Sequence, residues 1–272
     1  MSAYSGFAYA YDFLMKDVDY DIWAKNIDMI YKELNMKPKS VLELGCGTGN
    51  ITTRLYKKGY NMIGSDLSED MLMIAQEKAY ESNLMINFIL QDMRDINYRK
   101  KVDSVISICD GLNYITTDED LLKVFKSVYN VLESGGIFIF DISSYYKLKH
   151  ILGTNTFAES HEKASYIWEN YFNSESDVLD FDLTVFIKSN SQFNEDYDDE
   201  YDDYEFENDD EEEKVLLYER YFEQHTQKAH KTEKLKEIMN DYFEIVELRD
   251  GDTFGELSER SQRALFICKK KS

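Results

Sequence analysis

The stretch Val41–Asn50, reading VLELGCGTGN, limits what this chain can fold into more than any other. Residues that suit a buried strand run straight into three glycines at alternate positions, Gly45, Gly47 and Gly49. Beyond them Ile51, Leu55 and Tyr56 recur at helical spacing as far as Gly59. That order reads as a buried strand, a glycine turn and a helix. Glycine in the turn lets the main chain come close to a ligand, and the opening turn of the helix offers unpaired N–H groups to an anion.

A second signal narrows the ligand. Asp66 lies about twenty residues past the first glycine, at the end of a strand-like run over Asn61–Leu67, where doubly wound folds place an acid on ribose hydroxyls. Turn and acid together point to an adenosine-containing cofactor. The spacing G-x-G-x-G is not the dinucleotide fingerprint, and Asn50 stands where that fingerprint wants glycine or alanine. Glu43, two residues before Gly45, would repel a pyrophosphate but suits a cationic ligand, a sulfonium or an ammonium.

The segments ELGCGTGN, SDLSEDML and LQDMRD, in that order and spacing, resemble the first three motifs of class I S-adenosylmethionine (AdoMet)-dependent methyltransferases. The resemblance runs from about Tyr4 to Lys149 and resumes near the C-terminus. Chain length and N-terminus are similar to the stand-alone bacterial small-molecule branch, which includes amino-sugar N-methyltransferases. The resemblance implies AdoMet as cofactor, held around Glu43, Gly45, Cys46, Gly47, Asp66, Leu67 and Cys109. It also implies that Asp92 accepts from the adenine amino group while Met93 packs on the ring. The segment FAYAYD resembles one that lies across the cofactor, so that Tyr11 would help enclose the methionine portion and Trp23 would line the same pocket. For these N-terminal aromatics core packing is the competing reading, and for Asp92 a simple turn.

Charge disfavours one class of partner. The chain has 272 residues and a net charge of −22, and fourteen acids and no bases fall within Glu195–Glu213. Without that run the remainder still has 39 acids against 31 bases. Neither balance favours nucleic acid, whose phosphates demand a basic surface. The order CDGLNY after the fourth strand also lacks the Asn-Pro-Pro-Tyr type of motif found in amino-methylating nucleic-acid enzymes. Three cysteines, Cys46, Cys109 and Cys268, have no paired spacing, as expected of reduced thiols in a cytoplasmic protein. The N-terminus lacks the pattern of a signal peptide, and no apolar run reaches membrane-spanning length.

Taken in order, the pattern predicts a helix over 17–34 and a boundary at Pro38. Strands then follow over 41–44, 61–67, 86–91, 102–109 and 137–142. Ser68 and Thr117 are N-caps for the helices that follow them, and Gly135 and Gly136 are expected to stop the second of these. From about Thr156 the pattern alternates, over 165–172, 178–188 and 215–224, as antiparallel strands do. The acidic run between the last two reads as a solvated loop rather than a metal site, since it lacks the ligand spacing of an EF-hand. A last helix over 231–242 and two strands over 243–248 and 263–268 complete the expectation. The fold class is thus α/β, a Rossmann-like methyltransferase sheet of seven strands with the last antiparallel. N-terminal helices precede it, and an antiparallel β insertion follows strand 5. The expected units are 1–39 as an N-terminal cover, 40–150 as the AdoMet-binding core, 151–230 as the insertion and 231–272 as the completion of the core.

Methyl transfer from AdoMet needs alignment of a nucleophile and exclusion of water, with proton removal where the acceptor is a hydroxyl or an ammonium. Asp110, Tyr114 and Asp141 stand near strand ends, and Asp110 and Tyr114 are the catalytic candidates. The acceptor pocket is expected between Asp110–Tyr114, Ser143–Tyr146 and aromatic residues such as Tyr166 and Trp168. No metal is expected. The function expected is direct methyl transfer to N or O of a small polar metabolite. The alternatives are a protein-directed methyltransferase and a non-catalytic AdoMet-binding module. Acceptor identity and oligomeric state have no signature in the chain.

Overall fold

The computed structural model describes residues 11–12, 14–16, 18–161, 164–189 and 217–272. The acidic run 195–213 and the aromatic residues before Tyr11 lie outside the described residues. Helix α1 (Tyr20–Glu33) starts where Asp19 accepts from the N–H of Ile22 at 2.9 Å, three residues after the expected start. Strand β1 (Ser40–Leu44), helix α2 (Asn50–Lys57) and strand β2 (Asn61–Asp66) follow as the glycine motif predicts. Helix α3 (Glu69–Glu81) is capped by the Ser68 hydroxyl, and β3 (Asn87–Leu90) and β4 (Val102–Ser107) continue the alternation. A 3-10 turn (Gly111–Tyr114) leads to helix α4 (Asp118–Val131), capped by Thr117.

Strand β5 (Leu132–Ser143) corrects one expectation. Helix α4 ends at Val131 and the strand begins at once, so Gly135 and Gly136 do not stop the helix. They lie instead in an irregularity of β5: its pairing with β4 runs Val102↔Leu132 and then Ser104↔Ile137. Gly135 takes φ 73° there, a left-handed value that glycine adopts without strain.

A π-helical turn (Lys147–Leu152), also unforeseen, carries the chain from β5 into β6 (Thr156–Ser160), β7 (Ala164–Asn173), β8 (Val178–Lys188) and β9 (Tyr218–Lys228). Between β7 and β8 the Asn173 side chain accepts from the N–H groups of Glu175 and Ser176, which closes the turn. Helix α5 (Thr232–Met239) and strands β10 (Phe243–Asp250) and β11 (Arg263–Lys270) finish the chain.

Two sheets result. The larger has the order β10-β11-β5-β4-β1-β2-β3, and the smaller is β6-β7-β8-β9. In the larger, β11 runs antiparallel to both β5 and β10, while β1 pairs in parallel with β2 and β4. Side chains of a strand alternate between faces, and the two faces of this sheet carry separate cores. Leu42, Leu44, Phe138, Phe140 and Phe266 pack under α4 and α5, whereas Val41, Ile106, Ile139 and Leu265 pack under α1 and α2. Chain order reverses between β1 and β4. The crevice beyond the carboxyl ends of such a strand pair is where open α/β sheets bind ligands.

Candidate functional site

The turn after β1 is built as its glycines require. Gly45, Gly47 and Gly49 all have positive φ, at 64°, 53° and 76°. A Cβ on Gly49 would stand 3.1 Å from Cβ of Ala75 and 3.2 Å from the ring of Phe88, so the turn also needs the missing side chain for close packing on α3. Asp66, at the end of β2, faces this turn. Its Oδ2 accepts from the N–H of Gly47 at 2.8 Å, and its Oδ1 accepts from the N–H of Ser68 at 2.9 Å. Burial holds its pKa above the ordinary value, against the pull of those N–H groups. Glu43 lies beneath the turn, 2% exposed, and takes a short hydrogen bond from the Thr52 hydroxyl of α2. Burial pushes its carboxyl up to about 8, opposed by the Thr52 bond and aided by the charge of Asp66.

Other expected cofactor residues gather at the same place. Tyr11 lies beside the turn, its Cε1 3.9 Å from where a Cβ of Gly47 would be. Burial raises its hydroxyl pKa well above the usual value, and Cys109, Asp110 and Tyr114 are near enough to add to the shift. Met93 places its terminal methyl between the turn and the exit of β4, 3.7 Å from a Cβ built on Gly45 and 3.8 Å from one on Gly111. Asp92 is already engaged: Arg94 donates to it from its main chain at 2.8 Å and from its guanidinium at 2.6 Å, and that pairing keeps the carboxylate's pKa low. Leu67 is exposed just beyond Asp66. Cys46 turns its sulfur into the packing of α3 against Phe88. Trp23 is buried in the cluster that also holds Ile51, just after the turn, and Cys109, and it meets Phe254 edge-on at 5.1 Å.

The sequence reading missed what anchors Tyr11. The next residue, Asp12, accepts from the Thr48 hydroxyl at 2.6 Å, from Asn50 Nδ2 at 2.8 Å and from Lys78 Nζ at 2.7 Å. These donors come from the glycine turn, the start of α2 and α3. Their pull outweighs burial and holds the Asp12 carboxyl below its ordinary range.

The exit of β4 forms the opposite wall. Cys109 and Asp110 both have left-handed φ, 68° and 56°. The N–H of Cys109 donates to Asp141 Oδ1 at 2.7 Å, which ties the exit to β5. Arg263 of β11 then bridges two carboxylates, reaching Asp110 Oδ1 at 2.7 Å and Asp141 Oδ2 in a shorter contact. Burial alone would raise Asp110, but Arg263 and Lys147 bring its pKa below the ordinary value. Tyr114, 45% exposed, turns its ring to the inserted sheet and meets the ring of His225 edge-on at 5.9 Å. Asn113 beside it is fully buried: its amide donates to the carbonyls of Ser143 and Lys228 at 3.0 and 2.9 Å and accepts from the N–H of Ser143 at 2.9 Å.

Of the expected acceptor-side aromatics, Tyr166 joins Tyr11, Leu183 and Tyr221 around Val185. Trp168 packs between Phe157 and Phe181, at 5.6 Å from each. Tyr145 packs in the same cluster as Trp168 and donates to Asp177 Oδ1 at 2.9 Å. Residues that the sequence reading did not single out stand on β9 opposite Tyr114 and Asp110. Gln227 Nε2 donates to Asp110 Oδ2 at 3.2 Å, and Glu223 and His225 follow on the same face. Alternation along a strand is the signal that could have grouped them. Among the described residues no group of three or more side chains could hold a metal ion, and no helix is long and apolar enough to cross a membrane.

Comparison with known proteins agrees with this geometry. Residues 41–136 match a family described as "Methyltransferase domain". The Bacillus subtilis (strain 168) protein named "Putative methyltransferase YqeM" is 34% identical over 98% of this chain and 97% of its own length. The crystal structure of an S-adenosylmethionine-dependent methyltransferase from Clostridium acetobutylicum ATCC 824 superposes with a TM-score of 0.82 at 32% identity, covering both chains completely. The sugar N-methyltransferase KedS8 from Streptoalloteichus has the same fold, with a TM-score of 0.71 at 15% identity over 97% of this chain and 93% of that one.

Proposed function

The chain belongs to the class I AdoMet-dependent methyltransferases, and from that premise we propose that it methylates N or O of a small polar metabolite held between the glycine turn and the inserted sheet. The observation that carries this reading is convergence. Asp66, Tyr11 and Met93 crowd the turn, Asp110 and Tyr114 stand at the neighbouring strand exit, and β9 closes over them. The likeness in fold to a sugar N-methyltransferase supports a small acceptor.

The residues present fit AdoMet. Three positive-φ glycines leave the main chain open to close approach, and Asp66 offers a carboxylate oriented by two N–H groups. In this reading Asp66 takes the ribose hydroxyls, and Gly45, Cys46 and Gly47 approach the cofactor through their main chain. Asp92 and Leu67 lie along the adenosine, with Met93 on the adenine ring. Glu43 supplies negative charge beneath the cationic end, and Cys109 lines the floor. AdoMet, when bound, supplies a methyl group on a sulfonium that is its own leaving group. The protein's work is then to orient the acceptor and exclude water. Tyr11 covers the turn, held by Asp12. Asp110, ion-paired to Arg263 and kept charged, orients the acceptor rather than taking its proton, and Tyr114 lines the acceptor's path. In this reading residues 40–150 with 231–272 serve as the cofactor unit, the described residues up to 39 as its cover and the smaller sheet as the acceptor cover.

The test is incubation of the purified protein with methyl-labelled AdoMet and a cell extract split into polar-metabolite and protein fractions. Label in the small polar fraction supports the reading. Label in the protein fraction alone, or in neither, contradicts it.

A further inference from the structure

Strand β9 breaks the usual amphipathic pattern on its buried face. Its buried face carries Glu223, His225 and Gln227, while Phe222 stands 43% exposed on the other. A segment that breaks the local rule so openly marks a site where function outweighs packing. The register places Glu223 beside Leu183 and Trp168, and His225 beside Phe181 and Asn170, on the face that turns toward the β4 exit. His225 is fixed there by stacking on Phe181 at 4.7 Å and 17°, and by the edge of Tyr114.

Glu223 is the unusual member. Its side chain is 7% exposed, and Oε2 lies 2.9 Å from Nε2 of His225, yet off the line of a hydrogen bond. Among the described residues, no hydrogen bond reaches either of its oxygens. Asn170 Oδ1 and Trp168 Nε1, on the same face, are also buried without one. Buried polar atoms are normally satisfied, and a carboxylate costs most when it is not. Two acceptors and a donor left open on one face call for a ligand carrying a cation and a hydroxyl.

Resting on the function proposed above, we propose that Glu223 and His225 form the acceptor's amine site, Glu223 binding the ammonium and His225 receiving the proton that the nitrogen must lose. The exchange balances. The ammonium gives one proton to the imidazole and becomes a neutral amine. Its lone pair forms the bond to the methyl carbon, the carbon–sulfur pair leaves with sulfur, and the imidazolium, steadied by Glu223, returns its proton to water. Of the charged and titratable groups, Glu223 on its own strand and Tyr114 at the β4 exit face His225; beyond Tyr114 lie Tyr11 of the N-terminal segment and Asp110, which is held by Arg263 and Lys147.

The experiment compares wild type, Glu223→Gln and His225→Gln, using methyl-labelled AdoMet and the polar fraction of a cell extract. Each protein is also followed by AdoMet calorimetry and thermal unfolding. The expected wild-type product binds a cation exchanger. Glu223→Gln lowers product formation at least tenfold, leaves AdoMet affinity within twofold and unfolds at the same temperature or higher, since it replaces a buried carboxyl that accepts no hydrogen bond with a neutral amide. His225→Gln removes one ionisation from the rate's dependence on pH. A labelled product that passes the exchanger uncharged overturns the proposal. So does full activity in Glu223→Gln, or loss of AdoMet binding and stability together with activity. No labelled polar product from wild type would instead contradict the proposed function on which this inference stands.

Discussion

Asp66 shows how a single residue links the turn to its ligand. Both its oxygens are held by main-chain N–H groups, so the carboxylate is oriented before any ribose arrives. Asp66→Ala should remove charge-assisted bonds worth roughly 1.5–3 kcal/mol, and AdoMet affinity in calorimetry should fall at least tenfold; unchanged affinity would remove Asp66 from the site. Glu43 makes a different prediction. With its carboxyl pushed up to about 8 by burial, the ligand-free protein holds a proton there at neutral pH. A cation bound nearby favours the charged form, so AdoMet binding should release that proton and the measured heat should change with the buffer's ionisation enthalpy. Glu43→Gln should abolish that dependence, and a buffer-independent heat in wild type would contradict the placement. The sign for stability follows. A raised folded value means that Glu43's contribution is complete below the ordinary carboxylate range and is lost as pH rises through about 8.

Among the elements, the 3-10 turn after β4 holds the two sheets together through Asn113. That amide joins the turn to β5 with two buried hydrogen bonds and to the end of β9 with a third that is part-buried. Asn113→Ala would leave their main-chain partners unsatisfied at about 1–3 kcal/mol each, so denaturant unfolding should show a loss of at least about 2 kcal/mol. A loss below that would mean that water or a shift in the turn replaces the amide. Elements of this kind are where sequence reading runs short. Ser68, Thr117 and the glycine turn were legible because each acts on groups a few residues away. Asn113 acts on Lys228, and nothing local to either residue announces the pairing. The pair Gly135–Gly136 misled for the opposite reason: glycines after a helical run usually terminate it, whereas here they bulge a strand that had already begun.

On the scale of the whole molecule, the strand, turn and helix order that carries the expected cofactor motifs was legible, whereas the contacts that join the strand exits to distant parts of the chain were not. Motifs over 41–93 lie on consecutive β and α elements, so their spacing reports their placement directly. The acceptor side is assembled from β4, β5, β9 and β11, and its pairings are tertiary. Arg263 reaches Asp110 and Asp141, Gln227 reaches Asp110, and Lys78 reaches Asp12. None of these has a period or a motif; the Arg263 pairs exist because β11 lies beside β5, and the others because the smaller sheet and the N-terminal segment fold over the strand ends. The account as a whole rests on the crevice between β1 and β4 being an AdoMet site. Titration of the purified chain with AdoMet and, separately, with NAD in a calorimeter tests this most directly. Saturable AdoMet binding with no heat from NAD is the result predicted; saturable NAD binding without AdoMet binding would contradict it.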